Sequence, residues 1–413
     1  MSAMKVIDIW RKHARELLTA VFAVAVFLFW LLCLPFLMVA REQSQLFLWN
    51  TDYLFERLAL PGGLAQYLGE FVVQFFMNPL FGAILYALLL VGVQLLTWRI
   101  IRSMVHSPLS ILHYLLSFIP ACLLWYVACN PNIPMTPIVA VLLVLALIAF
   151  LPKKSLARQV VLFVMVPGGY WLLGPAVVLL VLVPLLLEPQ QKMKYALFKS
   201  IDILLLLVFC VVASSRIAPY PLRQIARGID YYWEGNKAGT MEEMKYDMLM
   251  RQRNWPEMAA MFEDKHVESL AIQNSVRLAL YNLQRISQEE LLEGMSLSNQ
   301  NLKSVSSAFL TSEIGLHIGM ANIAQRSAFE AMEAIPNYNK SGRALRRLVE
   351  TNIVTGQYDV AKKYIALLEQ TFAYRSWAQK MKPLAEHPEQ IKNHSFYHRL
   401  KEVYDHGKDV FFY

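Results

Sequence analysis

The 413-residue chain lacks the signatures that name a reaction: it has no Walker loop, no Gly-rich dinucleotide fingerprint and no Gly-x-Ser-x-Gly elbow. Cysteine is scarce and confined to the first 210 residues, at Cys33, Cys122, Cys129 and Cys210. A disulfide scaffold and a zinc-finger spacing are thereby excluded. Charge is nearly missing from the long apolar runs: besides the basic residues that mark their ends, His113 and Asp202 stand there, each close to a run's end. Without a carboxylate relay, proton- or sodium-coupled transport is disfavoured, and interface anchoring accounts for both residues. A basic stripe is also lacking. The net charge of +8 divides into 14 Lys/Arg against 8 Asp/Glu over residues 1–215 and 25 against 23 thereafter, so nucleic acid is not an expected partner.

What is abundant is apolar sequence, 56% of the chain. Leu17 to Val39 carries no charge and has the length of a membrane span. Lys5, Arg11, Lys12 and Arg15 precede it, and the run is too long for a cleaved leader, so an uncleaved signal-anchor is expected. Further apolar segments fall at about Pro79–Ile101, Leu109–Ala128, Ile133–Leu151, Leu156–Trp171, Leu172–Leu187 and Leu197–Ser214. Alternate connections are basic: Arg99 and Arg102, then Lys153, Lys154 and Arg158, then Lys192, Lys194 and Lys199. The connections between them are poor in Lys/Arg. This alternation predicts about seven spans, a cytoplasmic N-terminus and a soluble part outside the cytoplasm. Pro167-Gly168-Gly169 and Gly174-Pro175 interrupt the stretch 156–187, which reads either as two spans or as a re-entrant hairpin.

The expected fold is all-α: a polytopic transmembrane bundle over 1–215, then a soluble helical domain over 216–413. In the external connection 40–78, two apolar-faced runs flank Pro61-Gly62-Gly63. They predict amphipathic helices on the outer leaflet or packed over the bundle. Beyond Tyr220 the periodicity is near 3.6 with short polar breaks. Gly319-Met-Ala-Asn-Ile-Ala324 with Ala331 and Pro336, and Gly356-Gln-Tyr358-Asp-Val-Ala361 with Tyr364 and Leu368, fit the second helix of a tetratricopeptide repeat. The clearest repeats are expected at about 305–336 and 342–375, with a degenerate unit around Asn254–Met258. Such repeats stack into surfaces that bind polypeptides.

Three segments carry a resemblance to a known family: Leu60-Pro-Gly-Gly-Leu-Ala-Gln-Tyr-Leu-Gly-Glu-Phe71, Gln94-Leu-Leu-Thr-Trp-Arg99 and Gly356-Gln-Tyr-Asp-Val-Ala-Lys-Lys-Tyr364. The chain resembles uncharacterised bacterial multi-pass inner-membrane proteins with a tetratricopeptide-like helical tail. That resemblance implies an inner-membrane location in outer-membrane-bearing bacteria and no assigned activity. Relatives of this kind run on through further helices, and the end at Val410-Phe-Phe-Tyr413 suggests a truncated chain.

The expected function is a membrane-anchored scaffold or assembly factor, needing no cofactor. Its partners are the lipid bilayer and a protein bound by the periplasmic helical repeats. Asn322, Arg346, Tyr358 and Lys362 are the candidate contact residues. Arg343, Arg346 and Arg347 form a basic cluster that reads as a solvated face, with an anionic partner as the alternative. A glycosyltransferase-like enzyme using a lipid-linked sugar is the competing class, with Asp52, Glu56 and Glu70 as its available carboxylates; ordinary polar helix faces explain those acids better. His394 and His398 stand one helical turn apart but lack the Glu of a zinc protease and a third ligand, so they are weak metal candidates.

Overall fold

The computed structural model describes residues 3–104, 111–152, 154–188, 193–235, 237–263, 269–295, 304–336 and 339–407, with side chains from residue 13 onward. Lys153, Lys192 and the chain end at 410–413 lie outside the described residues, as do the side chains of Lys5, Arg11 and Lys12. All regular structure among the described residues is helical. The chain forms two compact units: Met1–Pro35 with Thr51–Trp233, and Phe36–Asn50 with Glu234–Tyr413.

In chain order the first helices are α1 (Ala3–Leu32), α2 (Pro35–Gln43), α3 (Thr51–Leu58), α4 (Gly63–Val73), α5 (Pro79–Met104) and α6 (Ile111–Leu116). They are followed by α7 (Ile119–Ala128), α8 (Thr136–Ala149), α9 (Ser155–Leu173), α10 (Val183–Leu187), α11 (Met193–Ser214) and α12 (Leu222–Arg227). Among the described residues five helical stretches are long and apolar enough to cross a membrane: His13–Leu32, Pro79–Met104, Ile111–Ala128, Ser155–Leu187 and Met193–Ser214. These mark a membrane protein. The apolar helix α8, with 14 residues, is shorter than a usual span.

The stretch Ser155–Leu187 is not straight. Gly174 ends α9 at φ 72° and ψ −155°, a conformation open to glycine. The chain then returns through a 3-10 segment, Gly174–Leu182, and α10. Its two ends meet, because Ser155 Oγ donates to Glu188 Oε1 at 2.5 Å and Arg158 Nη2 at 2.8 Å. Nineteen helical residues in α9 reach about 28 Å, and the returning limb about 25 Å, close to a hydrocarbon core of about 30 Å.

One end of the first unit gathers several loops around that hairpin's tip. Gly62, at φ 86°, donates its N–H to Trp171 O at 2.8 Å, and the Trp171 indole donates to Leu58 O at 2.9 Å. A β-carbon on Gly174 would stand 3.4 Å from the Gly62 α-carbon, so the two turns meet where neither has a side chain. Trp233 N–H donates to Asn132 O at 2.8 Å, and Asp230 accepts from Thr136 Oγ1 and from the Trp233 indole, each at 2.7 Å. That carboxylate sits at the start of α8, where the helix dipole favours it. These bonds carry the first unit to Trp233, beyond the division expected at 215. The opposite end holds the basic residues. Arg15 lies over the Trp98 ring at 5.0 Å, Arg99 donates to Ala149 O at 3.2 Å, and Lys199 Nζ reaches Glu188 at 3.1 Å.

The connection 40–78 divides between the units. Residues 36–50 belong to the second, and α4 packs against α8 and α9 through buried Ala65, Gly69 and Val73. Ala65, Gly69 and Val73 thus serve protein packing, whereas Leu64, Tyr67, Leu68, Phe71, Val72 and Phe75 stay half-buried, with α3 beginning only at Thr51.

The second unit continues with α13 (Met241–Gln252), α14 (Trp255–Glu263), α15 (Leu270–Asn282), α16 (Gln288–Glu293) and α17 (Val305–Ile318). It ends with α18 (Ala321–Glu333), α19 (Gly342–Val354), α20 (Tyr358–Leu368), α21 (Arg375–Glu386) and α22 (Ser395–Asp405). Four helix pairs turn in the same way. Arg253, Gln284, Gly319 and Gly356 all have positive φ just past the first helix of a pair. The next residue's N–H reaches back five positions in each: Asn254 to Leu249, Arg285 to Leu280, Met320 to Gly315 and Gln357 to Asn352. That is the Schellman closure, which satisfies carbonyls a helix end leaves open. The four caps are 31, 35 and 37 residues apart. Successive pairs from α17 onward pack in order, burying a continuous core that includes Leu345, Ile353, Ala361, Ile365 and Leu368.

Candidate functional site: an arginine-lined cavity

Residues at i, i+3, i+4 and i+7 of α19 share one helix face, and here they are Arg343, Arg346, Arg347 and Glu350. The face is not solvated as the sequence suggested. Arg343 and Arg347 are each only 7% exposed. Acids distant in sequence explain this. Arg343 Nη1 donates to both carboxylate oxygens of Asp247 on α13 at 2.7 Å, and to Gln43 Oε1 at 3.1 Å. Arg347 pairs with Glu313 of α17 and, at 2.9 Å, with Glu350. Arg346 stays half exposed, pairs with Glu350 at 3.5 Å and lies over the Trp377 ring at 4.8 Å.

The segment entering from α2 adds a second layer. Arg41, Glu42, Gln43, Ser44 and Gln45 are all buried, a run of polar side chains that no hydrophobic pattern would place inside. Glu42 accepts from the Tyr374 hydroxyl at 2.8 Å and lies 3.7 Å from Arg251. Burial pushes its carboxyl above the usual range, against the pull of Arg251, Tyr374 and Arg343. Glu313 is held the other way. Burial alone would raise it, but Arg347 and Arg343 outweigh that and keep it well below the ordinary carboxylate range. Tyr397 donates to Glu350 at 3.1 Å, and burial pushes its phenol well above normal.

Around this cluster lies a cavity of about 460 Å³. Arg251, Arg253, Arg343, Arg346 and Arg347 line it against Glu313 and Glu350, with Tyr374, Phe396 and Tyr397 on its walls. Five guanidinium groups facing two carboxylates give an electropositive concavity suited to an anion.

The other predicted residues do not converge on it. Asn322 lies on α18 in a shallow depression with Gln325, Arg326 and Glu330. Tyr358 and Lys362 come together beside Ala385 and Glu386, and Lys362 pairs with Asp359 at 3.2 Å. His394 lines the arginine cavity and packs on the Tyr397 ring at 4.4 Å, whereas His398 is 3.7 Å from Glu402. Among the described residues no three of His, Cys, Asp or Glu stand close enough to hold a metal.

In the first unit the three carboxylates also separate. Asp52 is exposed in the first turn of α3, and Glu56 is exposed and 3.3 Å from Arg57. Glu70 is fully buried and accepts from Tyr53 at 2.5 Å, and from Arg57 and Gln66 at 3.0 Å each. Burial raises its carboxyl to about 7, opposed by Arg57 and helped by Asp230.

An all-helical membrane protein with an arginine-lined cavity in its second unit is the class these features define. Residues 10–413 match the family of unknown function DUF6057, and the chain belongs to that family. No curated protein and no solved structure is significantly similar to it.

Proposed function

We propose that this chain is a membrane-anchored scaffold or assembly factor of a bacterial inner membrane. In this reading its second unit is a tetratricopeptide-like array that binds a protein partner. The repeating left-handed cap carries the proposal, because four helix pairs closed in the same way at near-repeat spacing support the stacked architecture that other proteins use to hold polypeptides. Topology follows from the charges. Arg15, Arg99, Arg158 and Lys199 cluster at one end of the first unit, and the Lys/Arg bias supports a cytoplasmic position for that end. Counting both limbs of the 155–188 hairpin and α8 gives seven crossings, which puts the second unit in the periplasm. Alkaline phosphatase fused after Arg227 should be active, and an inactive fusion there defeats this orientation.

The partner is tested by purifying the tagged full chain in mild detergent beside a chain lacking residues 234–413, with mass spectrometry and lipid analysis. A stoichiometric protein lost on deletion supports the scaffold. A polyprenyl lipid retained by both chains, with no protein partner, overturns it in favour of a lipid-linked sugar transferase. One observation favours that second reading: a Glu70 carboxyl near 7 would suit a general base. Against it, Glu70 is fully buried and already accepts three hydrogen bonds. Glu70→Gln should therefore leave the host's surface glycans unchanged at equal protein abundance.

A further inference from the structure

We propose that the arginine-lined cavity is the anchor point for an acidic segment of the protein partner, its carboxylates received by the guanidinium groups of α13 and α19. This deepens the scaffold reading and rests on it. The lining carries five arginines and two glutamates, and each glutamate is already shared: Glu313 between Arg343 and Arg347, Glu350 between Arg346 and Arg347. Asp247 and Glu42 stand against Arg343 and Arg251 from outside the lining, so the positive charge left over rests on Arg253. Arg253, held at φ 53° at the end of α13, forms no ion pair among the described residues. The cluster also has surplus donors. Nη1 of Arg251 and Nη2 of Arg343 are buried and stand 3.7 Å and 3.6 Å from their nearest carboxylates, beyond hydrogen-bond reach. Buried donors in folded proteins are almost always satisfied, so a site with this excess is short of acceptors.

The lining also discriminates among anions. A phosphate dianion would meet Glu313 and Glu350 at close range, and like charges at an interface are costly. A peptide segment offers both kinds of group. Its carboxylates match the planar arginine forks bidentately, and its backbone N–H groups can donate to the two glutamates. The rings of Phe396 and Tyr397 supply apolar contact for its remaining atoms. The cavity volume, about 460 Å³, lies within the usual range for bound small groups, about 300–1,000 Å³.

The test uses the full chain in nanodiscs and a fluorescent hexaglutamate peptide, with hexalysine and inorganic phosphate for comparison, read by anisotropy. Arg253→Glu and Arg346→Glu reverse the exposed arginines of the lining; Arg346→Glu gives up the 3.5 Å pair with Glu350 but leaves the Arg343–Asp247 and Arg347–Glu313 pairs in place. Lys382→Glu, on α21 outside the cavity, controls for a general loss of positive charge. Hexaglutamate should bind while hexalysine does not, and each cavity variant should weaken it about tenfold relative to Lys382→Glu. Thermal unfolding should show all three variants folded. Equal affinity in cavity and control variants overturns the proposal, as does phosphate displacing the peptide as well as unlabelled hexaglutamate does. If Arg253→Glu/Arg346→Glu still retains the partner that deletion of 234–413 loses, the scaffold survives and this assignment falls.

Discussion

The spans of the first unit and the core of the second bury polar groups in different ways. The spans turn large apolar side chains outward, among them Leu28, Phe81, Leu88, Leu123, Phe163 and Phe209, and keep a few neutral polar groups inside, while the buried ions of that unit, Glu70, Arg158 and Asp230, lie near the span ends or outside them. Thr19 bonds Tyr114, and Gln94, fully buried, donates to Ser117 at 2.9 Å. Trp30 stacks flat on Tyr86 at 3.9 Å. The second unit buries ions instead: Glu42, Asp247, Arg343, Arg347 and Glu350. In lipid, apolar surface costs nothing outside, and neutral side-chain hydrogen bonds between helices suffice. In water a charged cluster can be sealed inside, provided that every charge has an opposite neighbour.

The sharpest way to break the second pattern is to remove its most connected member. Arg347→Met leaves Glu313 and Glu350 facing each other with their shared cation gone. Losing one partner of a buried pair costs about 3–5 kcal/mol. Denaturant unfolding of the second unit should shift by that much, while the tryptophan environment of Trp30 in the first unit stays unchanged. Adding Glu313→Gln and Glu350→Gln to the same chain should recover much of the loss, because an unpaired buried charge is the expensive state. A triple variant no more stable than Arg347→Met would show that the arginine acts by packing.

The comparison also has a pH axis of opposite sign. Glu70 in the first unit has a folded value of about 7 against its ordinary 4.5. The fold therefore prefers its neutral form, and that stabilisation is full below about 4.5 and is lost as pH rises toward 7. The shift corresponds to at most about 3 kcal/mol. Glu313 is depressed instead, so its contribution is full above its ordinary value and is lost as pH falls toward the depressed one. Glu42 is raised and runs with Glu70, which makes Glu42→Gln the proper background for isolating Glu313. Thermal melts between pH 4 and 8 should show a smaller decline for Glu70→Gln than for the unaltered chain. In the Glu42→Gln background, melts extended down to pH 2 should show that Glu313→Gln removes a loss that begins only below about 4.5. Parallel slopes in all chains would place the titration elsewhere.

The sequence made one of these units easier to read than the other. Apolar runs and alternating basic loops state membrane helices directly, since both signals are local. Even the hairpin was visible as an interruption at Gly174, although only the meeting of Ser155 with Glu188 shows that the limbs return. The arginine cavity was half visible. Three arginines within five residues stand out, but Asp247 lies 96 residues from Arg343 and Glu313 34 from Arg347, so nothing local marks them as buried. The polar run Arg41 to Gln45 gave no sign of leaving the bundle, because a segment's unit is decided by contacts made hundreds of residues away. Asp52 and Glu70 look alike as carboxylates in one loop, yet helix phase sends one outward and the other among Tyr53, Arg57 and Gln66.

The four left-handed caps teach the same lesson at finer grain and supply the smallest test. Only two of the four caps were legible, those at Gly319 and Gly356, because glycine advertises a left-handed residue. Arg253 and Gln284 adopt that conformation at φ 53° and 59° without the advertisement, which hid the α15–α16 pair altogether. For a residue with a β-carbon this conformation costs about 1–2 kcal/mol, offset in part by the greater freedom that glycine gives the unfolded chain. Gln284→Gly should therefore stabilise the second unit by about 0.5–1 kcal/mol, and Gly356→Ala should weaken it by a similar amount. Both positions close a helix through the following residue's N–H, Arg285 to Leu280 and Gln357 to Asn352. The pair of substitutions thus compares the same cap with and without its side chain. Equilibrium denaturation measures both. If Gln284→Gly destabilises the unit, the glutamine side chain contributes to the cap more than its backbone strain costs, and the four pairs do not close in the same way.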